Sequence, residues 1–185
     1  MADSNEDREN VRKSREGDHE AFEALVRRYQ QMIHAVTYRM TGSMSDAEDL
    51  SEETFIKAFG LISQFRGEAS FSSWLYRIAV NACLNWRKRE QRRGEIHRDW
   101  AVQSESADAD PELAALVQEA LLQLNPEQRA AVILTTYDGM NHAEAAKVLG
   151  CSETTVSWRI FMARKKLKKL LKPITGRART TETRS

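Results

Sequence analysis

The stretch HAEAAKVLGCSETTVSWRIFMARKKLKKLL, residues 142–171, constrains the fold more than any other part of the chain. Two helices that cross steeply need a small residue where their backbones approach, a glycine in the turn, and a buried branched residue on the second helix. Ala146, Gly150 and Val156 stand at that relative spacing, and Leu149 and Ile160 complete an apolar inside. With Ser152 as N-cap, the second helix turns Thr154, Thr155, Ser157, Trp158 and Arg159 outward, followed a turn later by Met162, Arg164 and Lys165. In a helix-turn-helix of the DNA-binding kind, the first residues of the second helix reach base edges while cations contact phosphates. Structural hairpins share this spacing, so charge decides between them. Residues 152–179 hold nine basic side chains against Glu153 alone, a net of +8. Two aromatics keep two readings each. Trp158 either presses on DNA or packs on a helix at 126–137, and Phe161 either joins the core or faces outward.

The whole-chain net charge of +1 hides three further blocks of alternating sign. Residues 1–60 carry eight basic and thirteen acidic side chains, a net of −5, and residues 64–98 carry eight and three, a net of +5. Residues 99–144 hold nine acids and a single basic residue, Arg129, a net of −8. Two separated basic zones are what a protein gripping one polyanion at two places would show. There is no run of eighteen apolar residues and no signal-like N-terminus, so a cytoplasmic chain without membrane insertion is expected. Cys83 and Cys151 lie far apart with no metal-spaced partner, which predicts free thiols. His19, His34, His97 and His142 are scattered, no glycine-rich phosphate loop precedes a helix, and the acid clusters sit in first helical turns. These features predict no enzyme, no metal, no cofactor and no small-molecule substrate.

Apolar periodicity predicts an all-α chain of two small helical domains joined by a flexible linker, the second ending in the helix-turn-helix. The expected layout is an N-terminal tail at 1–16, a domain at 17–93, a linker at 94–111, a domain at 112–172 and a tail at 173–185. In the first domain, helices are expected over 19–41, from a Ser45/Glu48 capping box to about Ile62, and from a Ser70 or Ser72 cap to Arg93. In the second, helices are expected around Leu113–Leu121 and over Pro126–Tyr137, the latter capped by Asn125.

The helix FSSWLYRIAVNACLNWRKR, residues 71–89, has a core stripe of Phe71, Leu75, Ile78, Ala82 and Trp86. Arg77, Asn81 and Lys88 fall on another stripe, able to follow a phosphate backbone and donate to base edges. The preceding loop, Gln64–Ser70, offers polar groups and an aromatic at a tight turn, which suits a base removed from its stack. Phe65, Trp74 and Tyr76 serve equally well as stacking platforms or as buried aromatics.

Three ordered segments carry a resemblance across about residues 17–172: AFEALVRRYQQMIHAVTYRMTGSMSDAEDLSEETFIKAF, FRGEASFSSWLYRIAVNACLNWRKR and LNPEQRAAVILTTYDGMNHAEAAKVLGCSETTVSWRIFMARKKL. The chain resembles the bacterial extracytoplasmic-function (ECF) sigma factors of the sigma-70 superfamily. That resemblance implies a transcription initiation factor that binds core RNA polymerase and opens promoter DNA, under control of stress or another signal. It implies that Asp46, Asp49, Leu50, Glu52, Glu53 and Phe55 dock on the polymerase. It implies that Phe65, Arg66, Glu68, Ser70, Trp74, Arg77, Asn81, Arg87 and Lys88 read and melt the minus-10 element. It further implies that Ser152, Thr154, Thr155, Ser157, Trp158, Arg159, Phe161, Met162, Arg164 and Lys165 face the minus-35 element, that the linker threads the polymerase's RNA exit path, and that there is room for an anti-sigma partner. Ser51 and Glu52, Ser157, Trp158 and Met162, and Ala145 depart from the family's usual residues, the last predicting a looser hairpin. The alternative reading is an autonomous helix-turn-helix regulator that binds duplex DNA without polymerase.

Overall fold

The computed structural model describes residues 4–93 and 111–181. Most of the expected linker, 94–110, lies outside the described residues, as do positions 1–3 and 182–185. Among the described residues there are eight α-helices and no strand. In the N-terminal half these are α1 (Asn5–Arg15), α2 (His19–Thr41), α3 (Met44–Leu61) and α4 (Phe71–Arg93), with a 3₁₀ turn at Ile62–Gln64. The C-terminal half has α5 (Pro111–Leu122), α6 (Pro126–Val132), α7 (His142–Leu149) and α8 (Glu153–Thr181), with a π-helical turn at Ile133–Tyr137 extending α6.

The expected tail at 1–16 is therefore a helix over most of its length. Val11 is the only aliphatic residue of this helix, so periodicity gave no signal. Local polar chemistry holds it instead. Ser4 and Asp7 form a capping box, with Asp7 N donating to Ser4 Oγ at 3.1 Å and Ser4 N to Asp7 Oδ2 at 2.9 Å. Asp7 is buried, and Arg28 Nε of α2 lies 3.1 Å from its Oδ1 in an ion pair too bent to be a hydrogen bond. Two further boundaries differ from expectation. Ser43, not Ser45, caps α3 by accepting from Asp46 N at 3.2 Å. The Asn141/Glu144 capping box that starts α7 went unread, although its N-x-x-E spacing is visible.

Helices α2, α3 and α4 bury Leu25, Ile33, Val36, Leu50, Phe71, Leu75 and Val80 between them. In the helix-turn-helix, Ala145 and Val156 are fully buried, Ala146 is 6% exposed, and Gly150 closes α7 at φ +62°, where a side chain would be strained. Both cysteines are free, as expected, and burial pushes the Cys83 thiol up to about 12.

The two halves share one apolar core. Their junction is built on the end of α2, whose last carbonyls have no partner within the helix. Gln118 Nε2 donates to Tyr38 O at 3.2 Å and to Arg39 O at 3.4 Å. Arg129, 1% exposed, donates to Met40 O and also to Leu121 O (2.8 Å), Leu122 O (2.5 Å) and Leu124 O (3.3 Å) at the end of α5. One guanidinium thus caps two helix C-termini, where a cation is favoured. Burial pushes Arg129 down to about 10, which leaves it charged at neutral pH. The lone basic residue of the acidic segment is a structural cap. Gly42 turns the chain out of α2 at φ +77°, and a side chain there would strike Leu122.

A second junction joins α4 to the turn after the π-helical segment. Tyr76, 1% exposed, lies beside Asp138, whose Oδ2 is buried without a partner, and Arg39 lies 4.6 Å over the ring of Tyr137. Burial raises Asp138 to about 6, against the opposing pull of Tyr76 and Arg39. A carboxyl whose folded pKa exceeds its unfolded one holds its proton longer in the fold. Its contribution is therefore favourable at low pH and is lost as pH rises from about 4 to about 6. Asp138→Asn is expected to raise the urea midpoint relative to the parent at pH 7.5, and the difference should shrink markedly by pH 4.5 and vanish only below about pH 4. Equal midpoint shifts at both pH values would contradict this assignment.

Candidate nucleic-acid interface

The first candidate surface is the loop after the 3₁₀ turn together with the outer face of α4. Ser70 caps α4, accepting from Ser73 N at 3.2 Å, and so fixes where the loop ends and the helix begins. Arg77, Asn81 and Lys88 are all exposed along α4, and Arg66 and Glu68 are exposed on the loop, so these side chains are free to meet a polyanion. The aromatics divide differently. Phe65 is 8% exposed and packs on Trp74 at 5.1 Å and Phe71 at 5.9 Å between ring centroids, while Trp74 is half-buried. Phe65 and Tyr76 are core aromatics in this arrangement, and the loop's shape rests on them. Arg87 differs from the exposed stripe: it is half-buried, with an unpartnered buried Nε, and its charge is felt by Arg129 of the C-terminal half.

The second surface is the outer face of α8. Ser152 caps it, accepting from Thr155 N at 3.1 Å, as its position predicted. Trp158 is 58% exposed and Phe161 64%, which decides both open readings in favour of an outward face. Thr154, Ser157, Arg164 and Lys165 are exposed beside them, while Thr155, Arg159 and Met162 are half-buried. Ser157 Oγ sits 2.9 Å from His142 Nδ1 of α7, and Arg159 Nη1 lies 3.6 Å from Cys151 Sγ. Two of the candidate contacts are thus braced by the preceding helix and the turn after it. Ile160 and Ala163 carry the opposite face into the core.

The third surface is α3. Asp49 and Glu52 are exposed and Asp46, Glu53 and Phe55 half-buried, with Glu53 paired to Lys57 and 4.0 Å from Arg89. Leu50 is 2% exposed and belongs to the core, so it supports the surface from within. Sequence reasoning missed Ile56 and Phe59, 64% and 43% exposed. They continue the face of Asp49 and Glu52 at helical spacing, and an exposed apolar pair beside acids makes this face a candidate protein contact. Phe59 is held by ring contacts with Phe22 and His19.

Two family models match the chain in order: Sigma-70 region 2 over residues 25–93 and Sigma-70, region 4 over residues 114–167. The RNA polymerase sigma-H factor of Pseudomonas aeruginosa is 31% identical over 94% of this chain and 98% of its own length. The ECF RNA polymerase sigma-E factor of Haemophilus influenzae is 32% identical over 94% of this chain and the whole of its own length. Among solved structures, the sigma factor RpoE in complex with the anti-sigma factor NepR from Bartonella quintana superposes with a TM-score of 0.71 at 26% identity, covering 82% of this chain and 96% of that one.

Proposed function

Since the chain belongs to the ECF group of the sigma-70 family of RNA polymerase sigma factors, we propose that it initiates transcription through the three surfaces just described. It directs core polymerase to promoters, with α8 entering the major groove at the minus-35 element and the loop at 65–70 with α4 melting the minus-10 element. It acts as a regulator rather than a catalyst, and in the cytoplasm, where the polymerase is. No helix among the described residues is long and apolar enough to cross a membrane. The domain bounds we propose are 17–93 and 112–172, with α1 added to the first by its packing on α2.

On the minus-10 side, Arg77, Asn81 and Lys88 follow the unpaired strand while Arg66, Glu68 and Ser70 present polar groups to a flipped base, over a floor of Phe65 and Trp74. On the minus-35 side, Thr154, Ser157 and Trp158 approach base edges while Arg164 and Lys165 hold phosphates. On α3, Asp49, Glu52, Phe55 and Ile56 meet the polymerase. An anti-sigma factor completes the set of partners, supported by the Bartonella quintana complex.

The observation that carries this reading is that Arg77 and Asn81 and the outer face of α8 are exposed on two separate basic surfaces. One consequence follows from length. About 25 base pairs at about 3.4 Å each place the two promoter elements on the order of 80 Å apart. A compact chain of 185 residues has a radius of gyration of about 16 Å, too small to span that distance with its halves joined at Arg129 and Tyr76, so the polymerase must part them.

Promoter binding by the holoenzyme tests the α8 assignment. Arg164→Ala is expected to weaken it and to lower the salt slope by about 0.9, the amount for one lost duplex phosphate contact. Arg159→Ala should do so less, because that side chain is half-buried beside Cys151. An unchanged slope in both variants would mean that this face meets protein.

A further inference from the structure

Helix α1 presents one side to the loop at 65–70. Arg8, Val11, Arg12 and Arg15 recur at three- and four-residue steps and line one wall of a cleft of about 570 Å³. The loop from Phe65 to Ser70, with Ser73 of α4, lines the opposite wall, and Glu144 and Lys147 of α7 close the third side. Val11 is buried at the base, and the Asp7–Arg28 ion pair fixes the rotation of α1 on α2, so the arginine edge has one orientation.

The three arginines are not equivalent. Arg12 is held between Glu9 and Glu16, at 2.8 and 2.7 Å, and its charge is answered locally. Arg8 and Arg15 are exposed, and among the described residues no carboxylate pairs with either. Exposed cations facing a cleft, on a helix tied to α2 by the ion pair of its buried Asp7, fit an anionic ligand. The parting of the halves that promoter spacing demands removes α7, and with it Glu144, from this cleft. The arginine edge and the loop stay together on the same half.

We propose that α1 is a phosphate-binding edge of the minus-10 site: Arg8 and Arg15 hold the sugar-phosphate backbone of the unpaired DNA strand whose base enters the loop at 65–70. This rests on the minus-10 reading of that loop. Seven residues at about 1.5 Å each put the two arginines about 10 Å apart along α1. That span matches about three nucleotides of a stacked strand at about 3.4 Å each. The strand would lie along α1, with its phosphates toward the helix and its bases toward the loop.

The test uses holoenzyme made from the full chain and core polymerase. The probe is a labelled fork DNA cut from the strongest start site that this holoenzyme uses on genomic template, with the non-template strand unpaired across the minus-10 element. The double variant R8A/R15A is expected to bind the fork about five- to tenfold more weakly, with a salt slope lower by about 1.4, the amount for two single-strand phosphate contacts. Affinity for core polymerase and for a duplex minus-35 fragment should be unchanged, and R8K/R15K should recover most of the loss. The proposal is overturned if R8A/R15A leaves fork affinity and slope unchanged while Arg77→Ala lowers them, a result that keeps the α4 reading intact. If neither variant changes fork binding, the minus-10 reading itself fails and the α1 edge with it. A loss accompanied by a lower unfolding midpoint and not recovered by lysine would show that the arginines only hold α1 in place, and would overturn it as well.

Discussion

Replacing Arg129 with alanine is expected to destabilise the chain by about 3 kcal/mol or more, because it strands buried carbonyls at the ends of two helices, each costing roughly 1–3 kcal/mol when left without a donor. Met40 O on α2 and Leu121 O, Leu122 O and Leu124 O at the end of α5 all accept from this one side chain. For a chain of this length, about 3 kcal/mol lowers the melting midpoint by roughly 6 to 12 °C. Arg129→Lys keeps the charge but offers a compact ammonium in place of the planar fork, so it should recover only part of the loss. Thermal unfolding followed by circular dichroism reads both. A midpoint for Arg129→Ala within about 2 °C of the parent, at most about 1 kcal/mol, would show that the carbonyls find water instead and that the junction does not depend on this residue.

The second large effect concerns function rather than stability. Arg77→Ala and Asn81→Ala are each expected to reduce open-complex formation by about tenfold or more, equivalent to losing one charge-assisted or base-edge hydrogen bond of about 1.5–3 kcal/mol. Both side chains are exposed on α4, away from its packed stripe, so the fold should tolerate their loss. Binding to core polymerase should stay within about twofold of the parent, since the proposal places those contacts on α3. Strand opening at the start site and co-elution with polymerase measure the two separately. Equal losses in both assays would remove these residues from promoter melting.

The parts of this molecule legible in the sequence are those set by short-range rules. Ala146, Gly150 and Val156 specify the helix-turn-helix within eleven residues, and Ser152 caps α8 where its position predicts. Asn125 followed by Pro126 starts α6, with Asn125 accepting from Glu127 N at 3.0 Å. The exposed stripe of Arg77, Asn81 and Lys88 followed from the helical period alone.

What was illegible depends on residues far apart in the chain. Helix α1 has almost no apolar periodicity, and its place is fixed by Arg28, twenty-one positions after Asp7. Arg129 stood out as the one basic residue in an acidic segment, but its role needs Met40, which lies 89 positions away. Phe65 stood open between a stacking platform and a buried aromatic, and Leu50 was placed among the polymerase contacts by the family resemblance alone. Their burial comes from α4 and α2 closing over them. The π-helical turn at Ile133–Tyr137 has no local signature, yet it closes with Asp138 N donating to Ile133 O at 3.2 Å and delivers Asp138 to Tyr76. The sequence thus showed which faces point outward more readily than how the two halves meet.

The central claim is that this chain acts on DNA as a subunit of RNA polymerase. Gel filtration of the purified chain with core polymerase, with each fraction assayed for transcription from genomic DNA, tests it most directly. The account predicts that the chain co-elutes with the polymerase and that only those fractions start transcripts at defined sites. Free elution of the chain, with tight binding to duplex DNA on its own, would contradict it.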